Sequence, residues 1–526
     1  MPNSLIFLVI FSFLCCSSIA SATVFSSQER HAVQLLNAGM GSLEKRLEAI
    51  QSARISIEAE YFYLWKDPAG RLFLQELLKK AQSGVKVRLI VDHFFLSAKL
   101  GAAEGEALSR LGKGKFELRH YNPFPVPGFL NHRDHRKILI IDGKDAIIGG
   151  RNVGVEYFDL SARYNFLDRD IWFSGPIVQA LRSDFESYWN SFLTQDLFPA
   201  QGLTSDDGSG WTDNDAPLEE YKKVDKFTEG LFPITPKDII LRNKVRRLGQ
   251  EQLQREYQGE CHNITIATVP PRLRIYVKPL FNPIDHTLDV LGDRTPLPHL
   301  SNVIPNPLDL YSDNVFFETD IVKEVYQRMN LLSEGDRVTF ENPYFVPKDL
   351  VARGIMTLLD RGVKIELLTN SLRSTDASPI VSIFNKRSKQ YIKKGLDVAV
   401  YSSLPLPGAP LINEEVRNSR WGIHAKTVVV GEDQTIIGTF NMDPRSNNIN
   451  SEIIFICDDQ PDLAAAVRGS IQERTAHSAK ITPEGQLKWP PSLEHKSPDL
   501  LFDVETKDKV LFHLIGLPSS MMDFLL

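Results

Sequence analysis

Residues 135–152 read HRKILIIDGKDAIIGGRN, and the first eight place a histidine, a lysine and an aspartate around four consecutive aliphatic residues. Because successive side chains of a strand point to opposite faces, His135 and Lys137 lie on the same face of an extended segment. An aliphatic run of this length is typical of a strand buried on both faces. An isolated match of this kind is more often the solvated end of a surface strand, so its recurrence decides the interpretation.

The stretch does recur. Residues 424–441 read HAKTVVVGEDQTIIGTFN and align with residues 135–152 without a gap. Six of the eighteen aligned positions are identical, namely His135/His424, Lys137/Lys426, Ile147/Ile436, Ile148/Ile437, Gly149/Gly438 and Asn152/Asn441. This agreement indicates an internal duplication.

Both copies have the same surroundings. ARISIEAEYF, RLFLQELLKKAQSG and GVKVRLIVD precede the first copy, and DRVTFENPYF, KDLVARGIMTLLDRG and GVKIELLTN precede the second. Each set predicts strand, helix and strand, which favours parallel pairing and an α/β fold. Each copy is followed by a further strand and a helix that opens at a proline (PIVQALRSDFESYWNSF or PDLAAAVRGSIQERTAHSA). The chain is therefore predicted to be a tandem duplication of one α/β unit.

Length and charge limit the possible functions. A chain of 526 residues exceeds what one hydrophobic core usually supports. The net charge of -6 argues against broad binding to nucleic acid. An apolar run followed by Ala20-Ser21-Ala22 predicts an exported protein, periplasmic or secreted, with a signal peptide over residues 1–22. An uncleaved N-terminal membrane anchor is the alternative, because no Lys or Arg precedes Arg30.

The remaining stretches give fewer indications. Cys261 and Cys457 are too few for a disulfide scaffold, and their separation does not say whether they pair. Residues 201–310 read as an irregular connecting region, although PKDIILRNKVRRLGQEQLQREYQ within it looks helical. The apolar tail KVLFHLIGLPSSMMDFLL, residues 509–526, is either core or a membrane-facing segment.

The duplicated motif supports phosphodiester chemistry without a metal or cofactor. Two imidazoles that meet between the halves suit a reaction in which one histidine attacks phosphorus and the other protonates the departing oxygen. The two lysines and two asparagines would bind the non-bridging oxygens, whose negative charge grows in the transition state. Such a site needs both halves of the chain.

A nucleophilic histidine also needs an acceptor for the proton on its other ring nitrogen. Asp168 follows His135 by 33 residues and Glu452 follows His424 by 28, and both are candidates. Asp170 is a near neighbour of the first candidate and competes with it.

The motif H-x-K-x4-D, with G-G/T-x-N after six residues and duplicated in one chain, resembles the phospholipase D superfamily. GGRNVGVEYF, TNSLRSTD and GTFNMDPRS are similar to bacterial cardiolipin synthases, particularly the C-type synthases, and related proteins. The resemblance implies two tandem phospholipase D-like α/β/α domains, with mixed, largely parallel sheets packed around a pseudo-twofold axis. The domains would cover residues 23–200 and 311–480, with a tail over 481–526.

The resemblance also implies roles for individual residues and a substrate class. His135 would be the nucleophile and His424 the acid and base, while Lys137, Asn152, Lys426 and Asn441 would bind phosphate. Asp168 and Glu452 would be the partners of the histidines, and Asp142 completes the first motif. Phosphatidyl transfer between phospholipids, or to an alcohol, is the implied reaction, and a membrane surface is the expected site of action.

One position departs from the family pattern. Gly431 occupies the place of the motif aspartate, with Glu432 and Asp433 just beyond. In the family this aspartate chiefly supports the structure of the site. Its loss is therefore expected to weaken the site without abolishing it, and Glu432 or Asp433 could compensate through a shifted turn.

Three other functions compete with a synthase. A hydrolytic, secreted phospholipase D would use the same motif with water as acceptor. A nuclease or other phosphodiesterase is disfavoured by the acidic composition and by the lack of a basic stretch with interleaved aromatic residues. A degenerate lipid-binding protein is suggested by Gly431. Partner proteins cannot be inferred from the sequence.

Overall fold

A computed structural model describes residues 23–94, 100–124, 132–197, 234–271, 320–347, 349–448 and 450–493. The predicted signal peptide and the apolar tail from residue 509 lie outside the described residues. No helix within these ranges is long and apolar enough to cross a membrane.

The first half contains the predicted strand, helix and strand before the motif and the predicted helix after it. Its strands are β1 (Val24–Ser27), β2 (His31–Leu36), β3 (Ser56–Tyr61), β4 (Lys86–Asp92), β5 (Phe116–Tyr121), β6 (Lys137–Ile141), β7 (Asp145–Gly149), β8 (Tyr164–Leu167), β9 (Asp170–Ser174) and β10 (Thr194–Gln195). Its helices are α1 (Gly39–Ser52), α2 (Pro68–Gln82), α3 (Ala102–Leu111) and α4 (Ile177–Trp189), with a 3₁₀ turn at Val155–Tyr157.

The region between the halves adds helix α5 (Pro236–Leu253) and strands β11 (Gln258–Cys261) and β12 (Asn263–Thr268). The strands of the second half are β13 (Arg337–Glu341), β14 (Lys364–Asn370), β15 (Asp397–Tyr401), β16 (Arg420–Ile423), β17 (Lys426–Val430), β18 (Gln434–Gly438), β19 (Ile453–Asp458), β20 (Ser478–Ile481) and β21 (Leu487–Lys488). Its helices are α6 (Asp320–Asn330), α7 (Asp349–Asp360), α8 (Ser378–Lys393), α9 (Ala409–Ile412), α10 (Pro444–Asn448) and α11 (Pro461–Thr475), with a 3₁₀ turn at Glu414–Val416.

Local sequence accounts for these elements. Helix α2 begins at Pro68, where the missing amide hydrogen is harmless, and the side chain of Asp67 accepts a hydrogen bond from the Gly70 amide at 3.0 Å. Lys79 and Lys80 in its last turn complement the helix dipole. The aliphatic strand β6 is buried at all five positions, as the run of apolar residues predicts.

The two halves form two large mixed sheets. In the described residues the first has the order β10-β5-β4-β3-β6-β7-β9-β2-β11, and the second has the order β1-β12-β19-β18-β17-β13-β14-β15-β20-β21. Parallel pairing within them is confined to β3-β4-β5 and β13-β14-β15. The expectation of largely parallel sheets is therefore wrong. Short hairpins such as β6–β7 and β17–β18 allow only antiparallel pairing.

A shared core joins the two sheets. One cluster of buried apolar residues contains Ile138 of β6 and Val429 of β17, together with residues of α4 and α11. Separate clusters lie on the outer faces, one under α1 and α2 and the other under α6 and α7. Each half thus has helices on both faces of its sheet, and the inner helices lie between the sheets.

The described part of the connecting region, residues 234–271, contains strands that the sequence analysis did not predict. Residues 258–268, assigned from the sequence to an irregular segment, form β11 in the first sheet and β12 in the second. Strand β1 also leaves the first half and pairs with β12. A disulfide between Cys261 of β11 and Cys457 of β19 links the two sheets covalently. Strands β1 and β11 lie at sheet edges, and β12 is buried between β1 and β19, so the pairing of all three depends on the docked halves.

Candidate active site

The two motif histidines lie immediately before β6 and β17, at equivalent edges of the two sheets. His135 and His424 are 8% and 5% exposed. The backbone amide of His135 donates to the carbonyl of Ser451 at 3.0 Å, and that of His424 donates to the carbonyl of Leu167 at 2.8 Å. Each motif strand is therefore held at its beginning by the opposite half of the chain.

Each histidine pairs with a carboxylate from the opposite half of the chain. Nδ1 of His135 lies 3.0 Å from a carboxylate oxygen of Glu452, in the second half, and Nδ1 of His424 lies 2.6 Å from Asp168, in the first. With the proton on Nδ1, each imidazole donates to its carboxylate and leaves Nε2 with a lone pair. The order of the residues along the chain does not reveal this exchange.

Backbone pairing explains the exchange. Strands β8 and β16 pair in parallel, with Ile423 opposite Leu167, and Asp134 forms an isolated parallel bridge with Ser451. In both cases the residue before a histidine pairs with the residue before the carboxylate of the other half. The next residue along each strand then brings the ring and the carboxylate together. The pseudo-twofold relation between the halves is thus visible in the site itself.

The motif lysines follow their histidines closely. Nζ of Lys137 donates to the carbonyl of His135 at 2.6 Å, and Nζ of Lys426 donates to the carbonyl of His424 at 2.5 Å. Burial lowers the pKa of Lys137 to about 7 and that of Lys426 to about 8, and nearby carboxylates oppose this effect. An anionic ligand would therefore stabilise the charged form of both lysines.

The two asparagines differ in their surroundings. The side-chain oxygen of Asn152 accepts from the Tyr63 amide, and its nitrogen donates to the Tyr157 hydroxyl, both at 3.0 Å. Asn441 is buried, and its side-chain oxygen has no hydrogen-bond partner in the described part of the chain.

The two histidine pairs differ electrostatically. Burial and the charges of Lys137 and Lys426 lower the pKa of His135 well below its ordinary value. Burial and Lys426 also lower the pKa of His424, but the charge of Asp168 opposes this shift. The pKa of both imidazoles is thus lowered, and the opposing charge of Asp168 gives His424 the stronger tendency to hold a second proton.

The pKa values of the two carboxylates also differ. Burial raises the pKa of Glu452 to about 8, even though Lys137 and hydrogen bonds from Thr439 and Ser446 lower it. Burial also acts to raise the pKa of Asp168, but the charges of His424 and Lys426 outweigh it, and the pKa lies below the ordinary value. Asp168 is thus the more strongly ionised partner.

Asp142 lies away from the histidines, beyond the other end of β6. Its carboxylate accepts hydrogen bonds from the amides of Arg54, Ile55 and Ser56, which lead into β3. Asp170, the competitor of Asp168, instead pairs with Arg46 and Arg151 at 3.1 and 3.0 Å.

Gly431 occupies the turn position of Asp142. Both residues follow a five-residue strand and have positive φ angles, 52° for Asp142 and 58° for Gly431. The Gly431 amide donates to the Arg337 carbonyl at 2.9 Å, as the Asp142 amide does to the Ser56 carbonyl. The turn is therefore not shifted. Glu432 pairs with Arg468 at 2.9 Å and does not replace the missing carboxylate.

Two supporting residues escaped the sequence analysis. Asp92 ends β4 and accepts the Asp134 amide at 2.7 Å, while Asn370 ends β14 and accepts the Ile423 amide at 2.8 Å. Each thus fixes the residue that precedes a histidine. The aligned repeats GVKVRLIVD and GVKIELLTN both end in these residues, so the repeat itself carried the signal.

Aromatic side chains form the walls of the site. The ring of Phe62 lies 5.2 Å from that of His135, and those of Phe166 and Tyr157 lie 4.8 and 5.4 Å from His424. In the described residues no group of three or more His, Cys, Asp or Glu is arranged to hold a metal ion.

Comparison with known proteins identifies the family. Residues 47–189 and 329–474, more than half of the chain, match the family described as "Cardiolipin synthase, PLD-like domain". The chain belongs to this family of the phospholipase D superfamily. The duplicated motif, one copy in each matched segment, carries the histidine pairs described above.

Individual relatives agree with this assignment. The chain is 25% identical to cardiolipin synthase C of Escherichia coli over 489 residues, covering 86% of this chain and 88% of the relative. It is 23% identical to cardiolipin synthase A of Pseudomonas aeruginosa, covering 86% of this chain and 68% of the relative. The crystal structure of phosphatidylserine synthase from Haemophilus influenzae superposes with a TM-score of 0.57 at 13% identity and 94% coverage of both chains, which supports the fold.

Proposed function

We propose that this chain is a phosphatidyltransferase of the cardiolipin synthase type, acting on phospholipid phosphodiesters through a phosphohistidine intermediate. The observation that carries the proposal is the crossed arrangement of two buried imidazoles, each with a carboxylate from the opposite half on Nδ1. In this arrangement the site contains two imidazoles, and Nε2 of each is available to react. Similarity to the cardiolipin synthases supports phospholipids as substrates.

The electrostatic difference between the histidines supports a different role for each. Nε2 of the neutral His135 attacks phosphorus, so a P–N bond forms while the P–O bond to the leaving alcohol breaks. His424, whose tendency to be protonated Asp168 supports, gives its proton to the leaving oxygen. Lys137 and Lys426, with Asn152 and Asn441, bind the non-bridging oxygens as their negative charge grows.

The second half-reaction reverses these roles. His424, now neutral, removes the proton from the incoming alcohol, whose oxygen attacks phosphorus as the P–N bond to His135 breaks. An alcohol headgroup of a second phospholipid gives a phosphatidyl transfer product. Water in the same position gives phosphatidic acid, so the chemistry of the acceptor separates a transferase from a hydrolase.

A trapping experiment tests the proposal. His424→Ala, incubated with a labelled phosphatidyl ester of p-nitrophenol, whose leaving group needs no proton, is expected to retain label on His135 because the second half-reaction lacks its base. His135→Ala is expected to retain none. Each variant should lose at least about 4 kcal/mol of transition-state stabilisation. Near-normal turnover of either variant would contradict the two-histidine assignment.

Product analysis by mass spectrometry defines the reaction. Wild-type protein with phosphatidylglycerol and phosphatidylethanolamine is expected to form a lipid with two phosphatidyl groups. Phosphatidic acid as the sole product would replace the synthase proposal with a hydrolase. Activity that requires Gly431→Asp, and is absent from the wild type, would favour a degenerate lipid-binding protein.

We also propose that the protein acts outside the cytoplasm at a membrane surface. The signal-like N-terminus and the disulfide between Cys261 and Cys457 support export to an oxidising compartment. Cell fractionation with alkylation of free thiols tests this location. Truncation after residue 508 tests the tail: equal sedimentation with vesicles would exclude a role in membrane association.

A further inference from the structure

The two ends of the proposed site carry opposite charges at equivalent positions. Glu156 and Arg445 both lie four residues after a motif asparagine, so the pseudo-twofold relation makes them counterparts. Both are half-buried. Glu156 precedes Tyr157, whose ring contacts His424, and Arg445 precedes Ser446, whose hydroxyl donates to Glu452 at 2.7 Å. The acidic residue thus belongs to the His424 end and the basic residue to the His135 end.

A second carboxylate lies at the His424 end. Asp376 is exposed and accepts a hydrogen bond from the Tyr344 hydroxyl at 2.6 Å. It ends the segment of residues 371–376 that follows β14. Tyr164 of the first half fixes this segment, because its hydroxyl donates to the Ser374 carbonyl at 2.6 Å.

Aromatic contacts connect this segment to His424. The Tyr164 ring lies 4.9 Å from Phe166, which in turn lies 4.8 Å from the His424 ring. The charge of Asp376 is close enough to raise the pKa of His424, against the larger effect of burial. Burial, with the charges of Asp67 and Asp376, raises the pKa of Glu156. Asp376 therefore lies within electrostatic reach of both Glu156 and His424.

Neither carboxylate has a cationic partner among the described residues. In the described part of the chain, neither Asp376 nor Glu156 forms an ion pair, whereas Asp67 is occupied with the amides of Gly70 and Val155. A carboxylate in this state accepts hydrogen bonds from hydroxyl or ammonium groups and repels anions. The phenol groups nearby add a surface that suits a small polar alcohol.

We propose that Asp376 and Glu156 bind the alcohol that leaves and enters beside His424, and that they select alcohols with hydrogen-bond donors and no additional negative charge. The inference rests on the proposed function, because that mechanism places the leaving and entering oxygen next to His424. The end of the site that contains Arg445 binds the phosphatidyl group attached to His135. The catalytic groups of the two halves are nearly symmetric, but the charges around them are not. This difference in charge determines which alcohols leave and enter.

Competition between soluble acceptors tests the inference. With one phospholipid donor, all acceptors share the same phosphohistidine, so the ratio of products reports the alcohol site alone. Wild-type protein is expected to transfer to glycerol and ethanolamine at least ~10-fold more often than to glycerol 3-phosphate, the scale of one charge-assisted hydrogen bond. Asp376→Asn and Glu156→Gln are each expected to reduce this preference about 5-fold or more, the loss being larger for ethanolamine than for glycerol.

Control variants separate the alcohol site from general effects. Asp360→Asn removes an exposed carboxylate of the same half, at the end of α7, and should leave the product ratios unchanged. Arg445→Gln, at the counterpart of Glu156, should change the total rate and not the ratios. If water is the sole acceptor, the same comparison is made with the release of glycerol, ethanolamine and glycerol phosphate from their phosphatidyl esters.

The outcomes distinguish the two proposals. Product ratios that are the same in wild type, Asp376→Asn and Glu156→Gln would overturn the alcohol site while leaving the phosphohistidine mechanism intact. Absence of both turnover and label on His135 in the wild type would overturn the proposed function and the inference with it. A reduced discrimination in both variants, with labelling of His135 in the His424→Ala background, would support both.

Discussion

At the scale of single residues, the site depends on small residues as much as on the histidines. A Cβ atom at Gly150 would lie 2.1 Å from a carboxylate oxygen of Asp168. The equivalent residue in the second motif is Thr439, whose hydroxyl donates to Glu452 at 2.5 Å. Gly150 therefore leaves room for one carboxylate, while its counterpart binds the other.

Gly150→Ala is expected to lower kcat about 10- to 100-fold, because Asp168 must move and His424 loses its orientation. The protein should remain folded, which circular dichroism and thermal unfolding will check. Gly469→Ala is the control, since an added Cβ there meets no atom within 4 Å. Wild-type kcat in Gly150→Ala would mean that Asp168 does not orient His424.

The lysines predict the alkaline limit of activity. In the proposed mechanism phosphate binding needs both ammonium groups, and burial lowers the pKa of Lys137 to about 7 and that of Lys426 to about 8. The ammonium forms predominate below these values and are lost as pH rises through them. We therefore expect kcat/KM to fall across this range at constant ionic strength. A kcat/KM that stays flat or rises across this pH range would contradict this assignment. A pH profile that changes when the exposed Lys480 is replaced by alanine would contradict it as well.

At the scale of secondary-structure elements, the β6–β7 and β17–β18 hairpins lead us to expect that the motif aspartate stabilises the fold and is not needed for turnover. Asp142 lies at the end of β6 that is remote from His135. Its carboxylate accepts hydrogen bonds from three backbone amides at the start of β3. In the second half, Asp336 accepts the Ser333 amide at 2.7 Å just before β13. The second hairpin thus keeps its shape without a carboxylate at Gly431.

Asp142→Ala is expected to lower the free energy of unfolding by about 0.5–1.5 kcal/mol, because three backbone amides at the start of β3 exchange a charged acceptor for water. Turnover per folded molecule should change little. Burial acts to raise the pKa of Asp142, but the three amide hydrogen bonds outweigh it, so the pKa is lowered. The stabilisation is therefore present above the unfolded pKa of about 3.9 and is lost as pH falls through the folded value. Urea unfolding across acidic pH measures it.

Gly431→Asp provides the matched comparison. Asp142 adopts the same positive φ, so an aspartate at 431 should cost no more than about 1 kcal/mol of stability and leave kcat nearly unchanged. A large gain of activity would show that the missing carboxylate does limit the site.

At the scale of the whole molecule, the two halves are interlocked. Strands β1 and β12 belong to the second sheet although β2 and β11, their neighbours in the chain, belong to the first. The disulfide lies at this crossing and spans 196 residues of sequence. Since each histidine takes its carboxylate from the other half, any separation of the halves would dismantle both catalytic pairs together.

Cys261→Ala combined with Cys457→Ala is expected to lower the free energy of unfolding by about 2–4 kcal/mol, because the unfolded chain regains the freedom that the crosslink removes. Loss of activity on heating should shift to lower temperature in parallel with the unfolding transition. A reductant should produce a similar shift in the wild type and none in the double variant. Equal thermal stability of the two proteins would mean that packing alone holds the halves together.

The sequence by itself determined the duplication, the α/β class and the residues of the motif, because side-chain periodicity and the repeat are local properties. It also identified Asp168 and Glu452 as candidate partners. Only the tertiary structure decided that these carboxylates come from opposite halves, that Cys261 meets Cys457, and that Asp376 lies close to Glu156 and His424. These contacts join residues far apart in the chain, and they depend on how two sheets pack around a shared core, which no local pattern encodes.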